Sequence, residues 1–376
     1  MSTNANTKKE VFANMMVDAI HSLSNSTQMS TDIAPLADGW DKMYVLLNTI
    51  LFSFIICAGL FGNSIIMATL ARWREMRTPC NLLIANICAA DLGVCVFAAP
   101  LRIVNTFRGW IFGEAMCYVL TPIQDVLVVV SVVTQTVIAF ERHRAIAAPL
   151  KPKMTRKRVK MWMVLIWLMC YITAGVPMMI FLQNKLFSDG YYDCSPVFTR
   201  DAYRIAYQMY LVLVFIVLPL GIQSAAYFDI IRVLRAKGIP GLHSHSGQRE
   251  TIKGRIRQKR RLVRMLLVLM LTFQVCYLPR GVIMLLQEFT PQALSERPIL
   301  VRYVKLVILV MYYLKHVSNP LILWAMSKDF RTGCLSVCTT NETRLSFIQV
   351  GSRYQSTAPR RGKKSKSRQL VDSPVD

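Results

Sequence analysis

The chain has 376 residues, 53% of them hydrophobic, and its 45 Lys and Arg against 21 Asp and Glu leave a formal net charge of +24. In a soluble domain such a charge points to nucleic acid. Here the apolar residues are gathered into seven long runs, which excludes a soluble fold and leaves the positive charge to the segments between them.

In chain order the runs are Met43–Leu70, Asn81–Ile103, Met116–Glu141, Met161–Phe181, Tyr203–Phe228, Leu262–Leu286 and Leu300–Met326. Each is about as long as the ~20 apolar residues that cross a bilayer core as a helix. In lipid only helices or closed barrels satisfy the backbone, and these lengths fit helices. The expected fold is an all-α membrane protein, a seven-transmembrane helix bundle over 43–326. Before it lies an N-terminal tail, 1–42, and after it a short amphipathic eighth helix, 327–338, and a tail, 339–376. The tail 1–42 lacks the basic start and short apolar core of a cleavable signal, so the first run is expected to serve as the insertion signal.

Lys and Arg set the orientation. The segments 72–80, 143–160, 232–261 and 327–376 hold 30 of them, whereas 1–43, 102–115, 182–202 and 287–299 hold 8. The richer set belongs on the cytoplasmic side, which puts the N-terminus outside in a multi-pass plasma-membrane protein. The basic loops then meet anionic lipid headgroups, not nucleic acid. Asn25, in Asn25-Ser26-Thr27, is a glycosylation acceptor on the outer tail. Gly238-Ile239-Pro240-Gly241 ends the fifth helix, and 236–260 and 340–376 read as flexible.

Most of the ten cysteines sit singly inside the runs as small packing residues. Cys117 and Cys194 both fall on the outer side, where an oxidising compartment lets them pair. Cys334 and Cys338 follow the last run on the inner side and suit acylation. The five histidines, at 21, 143, 243, 245 and 316, are scattered. The sequence offers no metal cluster, cofactor motif or catalytic set, so neither an enzyme nor a metal is expected. Transporter-type inverted repeats are not evident either.

The polar and proline residues inside the runs form an ordered set. They are Gly62-Asn63, Asp91 in Ala89-Ala90-Asp91-Leu92, and Trp110-Ile111-Phe112-Gly113 before Cys117. Glu141-Arg142-His143 follows, then Trp167, Pro177, Pro219, Tyr227, Phe273 and Cys276-Tyr277-Leu278-Pro279. Ser318-Asn319-Pro320 and Lys328-Asp329-Phe330-Arg331 complete it. Over about residues 43–338 this resembles the rhodopsin-like (class A) G-protein-coupled receptors, most nearly the peptide-type ones. The resemblance implies a Cys117–Cys194 disulfide at the ligand entrance. It implies a G-protein switch of Glu141, Arg142, His143, Tyr227, Asn319 and Pro320, and acylation of Cys334 and Cys338. It also implies kinks at the prolines of helices five, six and seven, and arrestin recruitment by a phosphorylated tail (Ser346, Ser352, Ser356, Thr357, Ser365 and Ser367).

Four positions depart from the family. No acid occurs between Thr251 and Gln287, so the acidic latch that many relatives hold against the arginine is missing. Leu323 stands where relatives have the tyrosine of Asn-Pro-x-x-Tyr, and Tyr277 replaces the switch tryptophan. Lys315 lies four residues before Asn319, on the face of its helix that points at Asp91. In relatives Asp91 is a sodium ligand, and the ion site here comprises Asp91, Ser131, Asn319 and Lys315. A buried cation in lipid seeks an anion, so the expectation is that the ammonium replaces sodium and pairs with Asp91.

For the ligand, the outer halves of the helices supply Arg102, Gln124, Asp125, Tyr277, Arg280, Gln287, Glu288, Lys305 and Tyr313, with Arg302 nearby. Gln124 stands where amine receptors carry an aspartate, and Tyr313 where opsins carry the retinal lysine. Charges of both signs in a wide mouth suit a peptide, and Arg102, Arg280 and Lys305 suit a carboxylate; an Asp125–Arg280 pair is the plainer alternative. The expected function is to sense a neuropeptide and activate a heterotrimeric G protein. Receptors for a small amine or lipid, a light-insensitive opsin relative and a transporter are the other readings.

Overall fold

The computed structural model describes residues 34–147, 154–186, 192–236 and 246–338. Asn25, the loop histidines at 243 and 245 and the tail serines lie outside them. Seven helices are long and apolar enough to cross a membrane. They are α1 (Ala34–Arg72), α2 (Pro79–Arg108), α3 (Gly113–Ala147), α4 (Arg156–Phe181), α5 (Asp201–Arg235), α6 (Ser246–Phe289) and α7 (Pro298–Met326). A short α8 follows (Lys328–Cys338). Between α4 and α5 lies an antiparallel hairpin, β1 (Leu182–Leu186) with β2 (Tyr192–Pro196), in which Asn184 faces Cys194. Large apolar side chains such as Phe61, Ile180 and Phe228 are about 70% exposed. On a soluble surface that would mark an interface; on these helices it is the face turned to lipid.

Local sequence explains how the helices start and bend. Thr78 and Thr155 cap α2 and α4 by accepting from the N–H groups of Asn81 and Arg158, each at 3.3 Å. Three helices widen by one turn around or before a proline: Val94–Ala98 ahead of Pro100, Tyr171–Gly175 ahead of Pro177, and Leu213–Val217 ahead of Pro219. Proline has no N–H to donate, and its ring crowds the carbonyl four residues back, which the wider turn relieves. Pro122, Pro279 and Pro320 lie within α3, α6 and α7 without such a turn.

Pro320 also explains Gly62-Asn63. Because Pro320 cannot donate, the carbonyl of His316 loses its helical partner, and Asn63 Nδ2 donates to that oxygen at 3.0 Å. Gly62 permits the approach, since a Cβ there would stand 2.7 Å from Pro320 Cγ. Asn86 joins three helices, donating to Thr134 Oγ1 at 2.8 Å and accepting from Trp167 Nε1 at 3.0 Å. Interhelical hydrogen bonds and close backbone approach hold helices together where lipid removes the hydrophobic drive between them.

Two sequence expectations change here. The segment 236–260 was expected to be flexible, yet α6 begins within it, at Ser246. Its Arg, Gln, Glu and Lys residues are good helix formers and extend the helix beyond its apolar span. Cys334, expected to carry an acyl chain, is 5% exposed, with Sγ 3.6 Å from Thr69 Oγ1 of α1. That inward orientation argues against acylation there; the side chain of Cys338 lies outside the described residues. α8 docks on α1, with Trp73 Nε1 donating to Ser336 Oγ at 3.0 Å and Phe330 buried.

Candidate functional site

The disulfide Cys117–Cys194 ties β2 to the start of α3, with Cα atoms 5.7 Å apart. Trp110 pins the hairpin from the α2–α3 side: its N–H donates to Tyr192 O at 2.7 Å, and its indole donates to Gly113 O at 2.7 Å. The turn needs glycine at both ends, because Gly109 and Gly113 have φ of 66° and 76°. Beneath the hairpin is a cavity of about 360 Å³, within the range of ligand sites.

Its walls carry Arg102, Gln124, Asp125 and Arg280, its roof Asp193 to Pro196, and its floor Val128, Val132, Phe215, Ile216 and Tyr277. Gln287, Glu288, Lys305 and Tyr313 are not among the lining residues. Glu288 instead pairs with Arg204 of α5 at 3.0 Å, and Tyr313 accepts from Arg102 Nε at 3.3 Å. Arg302 pairs with Asp41 of α1. Asp125 and Arg280 make no ion pair with each other, so the cavity keeps both charges. Lining residues that the sequence reading did not single out include Asp193, Tyr207, Gln208 and Tyr312. Tyr207, Gln208 and Tyr312 lie on helices whose rotation about their axes the sequence does not fix, and Asp193 lies on the hairpin, whose position it does not fix.

A polar centre lies under the floor. Asp91 is fully buried. Its Oδ1 accepts from Ser131 Oγ at 2.9 Å and lies 3.3 Å from Lys315 Nζ; its Oδ2 accepts from Asn319 Nδ2 at 2.6 Å. Lys315 Nζ also donates to Ser131 Oγ. All four expected residues of the ion site therefore meet. A fifth, His316, is fully buried with Nδ1 2.6 Å from Asp91 Oδ1 and Nε2 3.4 Å from the Tyr277 hydroxyl. A neutral imidazole that donates from Nδ1 and accepts at Nε2 suits both neighbours, since Lys315 already balances the Asp91 charge. The signal for His316 was its spacing three residues before Asn319, on the same helix face. Tyr277 is thus shared: its ring floors the cavity and its hydroxyl reaches the polar centre.

At the opposite end from the disulfide, Arg142 Nε lies 2.7 Å from Glu141 Oε2, and both side chains are largely buried. His143 Nε2 is 3.6 Å from Asp229 Oδ2 of α5. Tyr227 is packed with Ile138, Leu266 and Leu323 in one apolar cluster. Leu323, 1% exposed, fills the place of the family's tyrosine with packing in place of a hydroxyl. In place of an acidic latch, Arg261 Nε of α6 donates to the carbonyl of Met326, the last residue of α7, at 3.0 Å. A helix C-terminal carbonyl is a natural partner for a cation.

Seven apolar helices, a disulfide-roofed cavity and a paired arginine at the far end define a seven-helix membrane receptor. The model of the "7 transmembrane receptor (rhodopsin family)" matches residues 62–323, and the chain belongs to that family, one of G-protein-coupled receptors resident in the plasma membrane. The chain is 26% identical to a QRFP-like peptide receptor of Branchiostoma floridae, over 80% of each chain. It is 29% identical to neuropeptide Y receptor type 2 of Cavia porcellus, over 78% of this chain and 76% of that one. It is 25% identical to a pyroglutamylated RF-amide peptide receptor of Mus musculus, over 85% and 76%.

Proposed function

We propose that this chain is a receptor for an extracellular neuropeptide, which it binds at the disulfide end to activate a heterotrimeric G protein at the Arg142 end. The relatives named above are peptide receptors, and the cavity with unpaired charges of both signs suits a ligand with several polar handles. The Lys and Arg bias supports an outside N-terminus, as does a disulfide at the Lys- and Arg-poor end. Removal of Asn25 by Asn25→Gln should then abolish an endoglycosidase-sensitive mass shift.

The observation that carries the reading is Tyr277, which connects ligand space to the Asp91 centre. A ligand that moves this ring acts on the contact between α6 and α7. In the arrangement described here Arg142 is neutralised by Glu141. Outward movement of the inner half of α6 frees Arg142 for the G-protein tail, and a ligand drives it by binding the open state more tightly. Lys315 fills the sodium position of relatives with a tethered cation. Basic inner segments meet anionic lipid, and the tail, once phosphorylated, recruits arrestin.

The test is a peptide library applied to cells that express the full chain with a promiscuous G protein, read against untransfected cells. Activation by peptides, lost in Arg142→Ala at equal surface level, is the expected result. Activation only by amines or lipids would overturn the peptide reading.

A further inference from the structure

We infer that the end of the ligand that enters the cavity carries a carboxylate, bound between Arg102 and Arg280. The inference rests on the receptor reading above and names the chemistry of the ligand's buried end.

Three charged side chains line the cavity from three helices: Arg102 of α2, Asp125 of α3 and Arg280 of α6. All three are half-buried. Arg102 has only a neutral partner, the Tyr313 hydroxyl. Among the described residues Arg280 and Asp125 have neither a hydrogen bond nor an ion pair, and no two of the three approach within 4.0 Å as a salt bridge. Two guanidinium groups and one carboxylate leave this layer one positive charge in excess.

Asp193 also lines the cavity but does not neutralise that layer. It adjoins Cys194, which is bonded to Cys117 at the head of α3. Asp125 lies eight residues further along α3, which at 1.5 Å per residue is ~12 Å deeper. Arg280 is three residues beyond Tyr277 of the floor, a rise of ~4.5 Å, so it belongs to the deep layer as well. An anion that descends past Asp193 therefore reaches two guanidinium forks above an apolar floor. A carboxylate there balances the layer and matches the bidentate geometry of arginine. A carboxamide brings no charge and leaves a half-buried guanidinium unpaired.

The carboxylate can be a peptide C-terminus or an Asp or Glu side chain, and the experiment separates them. Cells expressing the full chain and a promiscuous G protein receive three pools of N-acetylated pentapeptides: C-terminal acids, the same sequences as C-terminal amides without Asp or Glu, and amides with one Asp or Glu. A matched set of non-peptide carboxylic acids is run beside them. Either acidic pool should exceed the neutral amide pool in potency by ~30-fold, the factor expected for a desolvated charge pair. Which acidic pool is active names the source. Arg280→Gln should remove the difference and Arg280→Lys should keep part of it, at surface levels matched by antibody staining. If Arg280→Gln does not reach the surface, Arg102→Gln reads the same difference. Neutral amides as potent as the acids would overturn the carboxylate and leave the peptide reading standing. Activity confined to the non-peptide acids would overturn the peptide reading and leave the carboxylate standing. Silence of every pool would overturn both.

Discussion

Lys315 stands, on the reading proposed above, where relatives hold a diffusible ion. Its ammonium meets Asp91 and Ser131, with Asn319 and His316 on the same carboxylate. Taking one partner from a buried pair costs ~3–5 kcal/mol because the other charge is left bare. Lys315→Ala should therefore destabilise the purified receptor strongly. Lys315→Asn, which restores a neutral ligand, should make its melting temperature rise in sodium chloride relative to choline chloride, by linkage to the bound ion. The wild-type receptor should melt at the same temperature in both salts; a clear sodium response would sink the tethered-cation reading. This centre was legible in the sequence because charge in lipid is rare and helical spacing put Lys315 opposite Asp91. His316 was singled out by nothing but its spacing three residues before Asn319, because a histidine, unlike a lysine, does not announce a charge in lipid. Gln135 was missed for the same reason. It is 6% exposed, and neither Oε1 nor Nε2 has a hydrogen-bond partner, beside a small cavity that Leu323 and Tyr227 also line. An orphaned buried amide costs ~1–3 kcal/mol. Gln135→Leu should raise the melting temperature by a few degrees, and a fall would show that the amide has a partner.

Among the elements, α1, α7 and the hairpin differ in how far their sequence announces their packing. Gly62, Asn63 and Pro320 are spaced so that one proline frees a carbonyl, one asparagine takes it, and one glycine makes room. Their joint logic was readable once the helices were placed. Gly62→Val puts a Cβ 2.7 Å from a proline ring and should separate the helices. Surface expression should fall sharply, whereas Gly39→Ala, which meets nothing within 4 Å, should be neutral. The hairpin was illegible as strands because neither strand alternates buried and exposed residues. It is held by the disulfide, by Trp110 and by Leu182, which is buried at its base in one apolar cluster with Trp110 and Tyr207. The orientation of α8 was equally hidden. An amphipathic helix of eleven residues can turn either cysteine to lipid, and only docking on α1 settles that Cys334 faces inward.

At the scale of the whole molecule, a column of contacts runs from the cavity towards Arg142, and Tyr277 belongs both to the cavity and to the polar centre. Above it lies the cavity; below it run His316, Asp91 and Asn319. Past these, the apolar layer of Tyr227 and Leu323 separates the centre from Arg142. The Tyr277 hydroxyl joins α6 to α7 at 3.4 Å, and Arg261 joins the same helices again at the far end. Both contacts belong to the arrangement in which Arg142 is paired, so under the proposed switch both favour the resting state. Tyr277→Phe keeps the ring that floors the cavity and removes only the hydroxyl. A net hydrogen bond is worth ~0.5–1.5 kcal/mol, so ligand-independent G-protein signalling should rise by about 2–10-fold. Arg261→Ala should raise it less, because its bond is exposed to solvent. Since neither substitution touches the charged wall of the cavity, Arg280→Gln combined with Tyr277→Phe should keep the raised basal level while losing the acid preference. A basal level that returned to normal in the double variant would show that the two layers are one site and not two steps of a column.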